Sequence, residues 1–343
     1  MKRIITLSAA IGAVLLLIAA LIAYKKAVGP AIPQGLPSYY VEIPSRSDFD
    51  ETVSILKAGG FIQNENAFRL LAQRMNYARY PMRAGRFELK PGWTAIQMIR
   101  QLRSGEQSPV KVILTNERLP ENVAAKVARF IEPDSLAIWG LFQDSTYLDS
   151  IGYTPETLIS LFVPNTYEFY WNTTPRGFMG RMIREHDAFW AQSGRQAQAE
   201  ALGLSPAEVY TLASIVEKET LREEEKKRMA GTYLNRLKVG MRLQADPTCV
   251  FATRDFDTPR VTNYHTQFDS PYNTYLYAGL PPGPICMASI SSIDAVLNAE
   301  QHDYLYFCAV GDGSGLHSFS RTLEGHNQNA ARYRQNLRQR GLR

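Results

Sequence analysis

Cysteine and histidine are scarce in this chain, three and five among 343 residues, and their spacing removes whole classes of chemistry. Cys249, Cys286 and Cys308 are odd in number and form no C-x-x-C pair, so they frame neither a disulfide scaffold nor a zinc site. Three buried thiols are the expectation, with a Cys286–Cys308 bridge as the alternative. His186, His265, His302, His317 and His326 contain no H-x-x-x-H pair, and the chain has no G-x-S-x-G elbow or glycine-rich phosphate loop. A metallohydrolase or serine hydrolase therefore has little to build on, and His317 and His326 read as structural. Internal repeats are absent. The composition, 45% hydrophobic and 21% charged with 23 Gly and 19 Pro, excludes collagen, coiled coil and bulk disorder.

The formal charge of +5 does not point to nucleic acid. Lys2, Arg3, Lys25 and Lys26 bracket the N-terminal apolar run, and Arg332, Arg334, Arg338, Arg340 and Arg343 crowd the C-terminus. Without those nine cations the body has 29 basic residues against 33 acidic ones. A nucleic-acid reader needs its excess along a binding face.

Ile4 to Tyr24 is an uncharged run that reaches about 30 Å as a helix, the thickness of a bilayer core. Its length and the poor cleavage site at Leu21-Ile22-Ala23 favour an uncleaved anchor over a signal peptide. Two cations flank each side, and the amino group of Met1 tips orientation toward an N-terminus inside and the bulk outside. A proline-rich linker, 27–37, follows.

Tyr39 to Ile43 has strand composition. Asp48 with Glu51 opens a helix ending at Gly59-Gly60, and a second helix carries Phe68, Leu71 and Met75. Arg86 to Leu89 is a strand, and a helix from Thr94 ends at Gly105. These make a small α+β unit over about 38–112. Beyond it, Val110–Leu114 alternates as a strand and helices are expected over 121–130 and 178–190, with a Gln/Ala-rich turn at 191–201. Ser205-Pro206-Ala207-Glu208 is a strong helix start, and a further helix spans 223–238. A hairpin over 304–320 and a helix from Leu323 close the chain.

The segment 213–220, ASIVEKET, runs apolar residues almost up to a glutamate, which is how a carboxyl is set against a dry surface and its pKa raised. Glu217 and Glu219 fall on opposite flanks of the stripe made by Val209, Leu212, Ala213 and Val216, so helix geometry does not choose between them. Either could be a surface glutamate. Tyr264, Phe268, Tyr272, Tyr275 and Tyr277 alternate with Asn263, Gln267, Asp269, Asn273 and Thr274, which suits a glycan groove or an aromatic core under a loop. Gln244 and Asp246 sit on a loop after Gly240, with Asp246 a turn or cap residue by default.

With ASIVEKET, Asn235-Arg236-Leu237, the run 240–248 (GMRLQADPT), Tyr272-Asn273-Thr274-Tyr275, Leu280-Pro281-Pro282-Gly283-Pro284, His317-Ser318-Phe319 and His326-Asn327 in this order, the chain resembles the endolytic murein transglycosylases, the MltG/YceG-like family. The likeness is densest over 205–330. Upstream, Phe162 to Tyr167 is similar to a Phe-Pro-Asp-Thr-Tyr element, with Asn165 in place of Asp, and Gly85–Gly105 to a LysM-like peptidoglycan-binding subdomain. Thr115-Asn116-Glu117-Arg118 replaces the family's Pro-Glu-Gly turn.

The resemblance implies an α+β fold. Residues 1–26 would be a transmembrane helix, 38–112 a small LysM-like α+β subdomain and 113–343 a larger α+β catalytic domain. It implies an endolytic lytic transglycosylase in the inner membrane, its body extracytoplasmic, acting on peptidoglycan strands beside synthases of the elongation machinery. Glu217 would be the acid/base and Glu219 secondary. Gln244, Asp246, Tyr272, Asn273 and Tyr275 would hold the glycan or orient the acid, without metal or organic cofactor. A retaining or inverting glycosidase needs two carboxylates. A lytic transglycosylase needs one, because the MurNAc 6-hydroxyl attacks its own C1 and proximity replaces the second group. The alternatives are a non-catalytic peptidoglycan-binding scaffold and a lyase of chorismate-type metabolites, the latter poorly matched to an anchored chain without a recognisable Schiff-base lysine.

Overall fold

The computed structural model describes residues 29–342, together with Val14 and Ile18. The expected membrane anchor, Ile4–Tyr24, otherwise lies outside the described residues. No helix among the described residues is long and apolar enough to cross a membrane. The chain divides into two compact units. One takes the chain up to Lys111 with Phe130–Pro133 and Glu168–Thr174; the other takes Val112–Arg129, Asp134–Tyr167 and Pro175–Arg343.

Local rules account for the first unit. Strand β1 (Tyr40–Ile43) leads to α1 (Phe49–Ala58), whose cap, Asp48, accepts from the Glu51 amide at 2.8 Å. Helix α2 (Glu65–Arg74) is capped by Asn64, and strand β2 (Gly85–Glu88) pairs antiparallel with β1, Tyr40 opposite Glu88 and Ile43 opposite Gly85. Helix α3 (Ala95–Ser104) starts on a Thr94/Gln97 capping box and stops at Gly105, which is left-handed at φ 75°. Ile43, Leu56, Phe87, Leu89, Met98, Ile99 and Leu102 are fully enclosed and form the core.

Strand β3 (Val110–Leu114) is followed by α4 (Pro120–Val127), α5 (Ser135–Phe142), α6 (Ser145–Ser150) and a 3-10 turn at Leu158–Leu161. Strand β4 (Asn165–Phe169) joins β3 in a second two-stranded sheet. Helix α7 (Pro175–Ala191) covers the expected helix at 178–190. The turn expected over 191–201 is instead largely helix α8 (Arg195–Leu202): Gln and Ala are strong helix formers, and Ala199 alone of its residues is buried, so no apolar stripe marked it.

The functional region rests on α9 (Pro206–Glu219) and α10 (Glu223–Lys238). The capping box of Ser205 and Glu208 opens α9, which buries Val209 to Val216 without a gap. It packs on the segment after Pro284. The Ile285 amide donates to Ser214 Oγ (3.0 Å) and the Ala288 amide to the Tyr210 hydroxyl (3.2 Å), which itself donates to the Phe162 carbonyl (2.7 Å). Helices α11 (Asp246–Thr253), α12 (Asn263–Gln267) and α13 (Ile290–Leu297) follow. Strands β5 (Tyr306–Ala309) and β6 (His317–Ser320) form an antiparallel hairpin, and α14 (Leu323–Gln339) ends the chain. The fold is α+β. Its three cysteines are free thiols, Cys249 and Cys286 buried and Cys308 half-buried.

Candidate active site

The last turn of α9 sends its two glutamates to opposite sides. Glu217 turns toward α13 and α10. Its Oε2 accepts from the Ser289 amide (3.3 Å) and from the hydroxyls of Ser289 and Ser292 (2.5 Å each), and Lys226 Nζ lies at 3.5 Å. Lys226 is itself buried and also reaches Glu223 (2.6 Å) and Ser291 (3.0 Å). Burial works to raise the Glu217 pKa, yet the two hydroxyls and the ammonium outweigh it and hold the carboxyl below its ordinary range. Glu217 is an anchored anion.

Glu219 faces a cavity of about 330 Å³ that Arg236, Gln244, Asp246, Tyr275, Tyr306 and His326 also line. Tyr233, one turn before Arg236 on α10, donates its hydroxyl to Glu219 Oε1 at 2.6 Å. Arg236 is tied down by bonds to the Leu305 carbonyl (2.6 Å) and the Leu243 carbonyl (2.5 Å). Burial pushes the Glu219 carboxyl up and the Asp246 carboxylate adds to the rise. Tyr233 and Arg236 offset this only in part, so Glu219 titrates at about 7. A carboxyl of this kind is protonated in a large fraction at neutral pH and still touches the cavity, the state a general acid requires.

Of the glycan-holding candidates, the structure brings Gln244, Asp246 and Tyr275 together with Glu219. Gln244 is held in the left-handed region at φ 46°, and its amide donates to the Thr274 carbonyl (3.1 Å). Asp246 is the first residue of α11, not a loop residue, and accepts from the Tyr275 hydroxyl at 2.5 Å. Asn273 is not brought into the cavity. It is fully buried, its Nδ2 donates to the carbonyls of His265, Thr266 and Phe268 (3.1, 3.2 and 2.8 Å), and its Oδ1 accepts from the Tyr275 amide (3.1 Å). It builds the loop that presents Tyr275. Tyr272 packs on Phe251, ring centroids 4.7 Å apart, and lines a different cavity of about 410 Å³. Tyr264 stands exposed at 61%, so the aromatic run divides between surface and cavity wall.

A third cavity, about 250 Å³, joins these two: Glu219 and Asp246 line it together with the first, and Arg118 and Phe251 together with the largest. The three cavities thus share lining residues within the second unit, which we read as one groove with Glu219 on the wall common to two of them. Tyr233, Arg236 and the serine clamp on Glu217 escaped sequence reasoning. For the first two a signal existed: Met229, Tyr233 and Arg236 recur at i, i+4, i+7, and an arginine on an otherwise apolar stripe marks a buried polar task. Among the described residues no three or more His, Cys, Asp or Glu side chains are arranged to hold a metal ion.

Comparison with known proteins places this geometry in a lineage. The chain is 27% identical over 325 residues to the endolytic murein transglycosylase of Bacillus subtilis strain 168, across 90% of this chain and 88% of that one. It is 26% identical over 324 residues to the endolytic murein transglycosylase of Streptococcus pneumoniae D39, of whose length it spans 58%. A crystal structure of a YceG-like protein from Listeria monocytogenes superposes with a TM-score of 0.57 at 27% identity, covering 84% of this chain and 97% of that chain. The model of the YceG-like family matches residues 41–332, and the chain belongs to that family.

Proposed function

We propose that this chain is an endolytic lytic transglycosylase that cuts the MurNAc–GlcNAc bond within nascent peptidoglycan strands, leaves 1,6-anhydroMurNAc ends and so limits strand length. The observation that carries this reading is Glu219, a carboxyl raised to about 7 inside an extended groove. The names of the relatives support it. The catalytic acid is assigned to Glu219 in preference to Glu217, because the surroundings of Glu217 favour the anion and give its proton no reason to stay.

Protonated Glu219 donates to the bridging oxygen as the glycosidic bond breaks. Its carboxylate then takes the proton of the MurNAc 6-hydroxyl, whose oxygen closes on C1. The proton count balances and no water enters. Tyr233, donating to Glu219 Oε1, leaves the other oxygen to the substrate. Asp246 raises Glu219 by charge and stands where developing positive charge on the sugar ring is favoured. Gln244 and Tyr275 are the groove residues proposed to hold the glycan, and Tyr272 holds a more distant portion.

The test is mass spectrometry of strands digested by the full chain beside its Glu219→Gln and Glu217→Gln forms. Glu219→Gln is expected to lose anhydro-ended products by about a thousandfold or more, the scale of general-acid loss. Glu217→Gln should keep activity within about tenfold, the scale of a positioning defect. Anhydro ends from Glu219→Gln at the native rate overturn the assignment. Binding without turnover by the native chain favours the scaffold.

The wider arrangement is proposed with it: residues 1–26 as a single-pass inner-membrane anchor, 38–112 as a LysM-like peptidoglycan-binding subdomain, 113–343 as the catalytic domain outside the cytoplasm, and synthases of the elongation machinery as partners. The apolar length and flanking charge of Ile4–Tyr24 support the anchor. Protease accessibility of the body in spheroplasts tests the side on which it lies.

A further inference from the structure

The 410 Å³ cavity, which Tyr272 lines, takes no part in the bond cleavage above, and two arginines and two glutamates line it. Arg118 lines both this cavity and the one that reaches Glu219. Its guanidinium lies over the Phe256 ring, 4.2 Å from the centroid, and it makes none of the ion pairs formed among the described residues. The turn before it is pinned: Glu117 is paired with Lys126 at 2.5 Å, and its carbonyl accepts from the Met287 amide at 2.8 Å. Arg254, on the same cavity, is already engaged with Glu121 at 3.1 Å. Glu156 also lines this cavity as an exposed carboxylate and makes none of the ion pairs formed among the described residues.

A half-buried guanidinium without a counter-ion is an unfavourable arrangement that an incoming anion relieves. The aromatic ring beside it holds the guanidinium by a cation–π contact, and a guanidinium fork suits a bidentate carboxylate. Neutral sugar hydroxyls would not call for such a cation. In a peptidoglycan strand the anionic groups near the glycan belong to the peptide stem hung from the MurNAc lactyl group, which carries carboxylates and, at its diamino residue, an ammonium. We infer that the 410 Å³ cavity is a peptide subsite, in which Arg118 receives a stem carboxylate and Glu156 the ammonium. The inference rests on the transglycosylase reading and extends it: the enzyme acts on strands that still bear peptides, cutting at Glu219 a fixed distance along the groove.

Two measurements with the full chain test it. In the first, cleavage of uncrosslinked peptide-bearing strands is compared with cleavage of the same strands stripped of peptide by an amidase. The native chain is expected to show a KM about tenfold or more lower for peptide-bearing strands, the scale of one charge-assisted contact. Arg118→Gln should bring that ratio toward one, and Arg118→Lys, which keeps the charge without the fork, should fall between. An equal ratio in native chain and Arg118→Gln, or an equal loss on both substrates, overturns the subsite. In the second, the free tetrapeptide stem is titrated calorimetrically into the native chain and into Arg118→Gln. Binding that Arg118→Gln abolishes, in a chain that cleaves no strand, retains the subsite and rejects the transglycosylase reading. Cleavage without stem binding and without substrate preference rejects the subsite alone.

Discussion

Glu217 and Glu219 are two positions apart and live in opposite electrostatic worlds. In the proposed mechanism the protonated form of Glu219 works, so kcat/KM should fall as pH rises through about 7. The same shift has a sign for stability. A carboxyl raised above its unfolded value binds its proton in the native state first, so stability is lost as pH climbs from the ordinary carboxylate range toward 7. Glu219→Gln is therefore expected to melt a few degrees above the native chain at pH 8, with the gap closing at pH 5, by calorimetry at matched salt. Glu217 runs the other way. Its depressed pKa contributes stability above the unfolded value that disappears on acidification, so Glu217→Gln should melt lower at pH 7, by roughly 1–3 kcal/mol of lost charge-assisted bonds. From the sequence the pair is symmetric about the apolar stripe. Only the packing of Ser289 and Ser292 against one flank and of Tyr233 and Asp246 around the other separates them, and those contacts join residues far apart in the chain.

At the scale of elements, starts that carry their own hydrogen bonds were legible: Asp48, Thr94 and Ser205 each cap the helix expected of them. Helices whose cues are tertiary were not. Helix α11 follows a loop-like Asp246-Pro247, and α13 opens on Ser289, whose hydroxyl serves both the Ser292 amide (3.2 Å) and Glu217. The aromatic run 264–277 offered glycan contact or core, and the structure divides it between surface, cavity wall and buried loop, because Asn273 closes the loop from within. Removing that amide takes the side-chain donor from the Thr266 and Phe268 carbonyls, and leaves the His265 carbonyl with the Phe268 amide alone (3.3 Å). Asn273→Ala should cost about 2–4 kcal/mol by denaturant unfolding and raise KM by displacing Tyr275. The Pro-rich turn also has a packing reason. A Cβ at Gly283 would lie 2.0 Å from the Glu156 carbonyl, so Gly283→Ala must push the cavity wall apart, and it should weaken stem binding and lower stability together.

For the molecule as a whole, the informative feature is that the acid lies within a groove and not at the bottom of a closed pocket. Glu219 and Asp246 form a wall common to two cavities, and the groove continues past Arg118. A strand can lie along it with sugars on both sides of the cut. Early digestion should therefore shorten strands in bulk with few terminal disaccharides released, a distribution that size-exclusion chromatography resolves; steady release of single units from strand ends would contradict the lengthwise reading. The charge map agrees with this division of labour. The basic excess sits at the two ends of the sequence, leaving the body slightly acidic, while Arg118 shares its cavity with Arg254.

Glu219 is the final residue of α9, and its carboxyl hangs beside the carbonyl end of a fourteen-residue helix. The aligned peptide dipoles leave fractional negative charge there, which disfavours a second negative charge on the side chain. The backbone thus works in the same direction as burial and the Asp246 charge, which raise this carboxyl. Such a field is diffuse and weakens in electrolyte. The basic limb of the pH profile should accordingly drift to lower pH as ionic strength rises, making the cutter sensitive to the salt of the compartment in which it works.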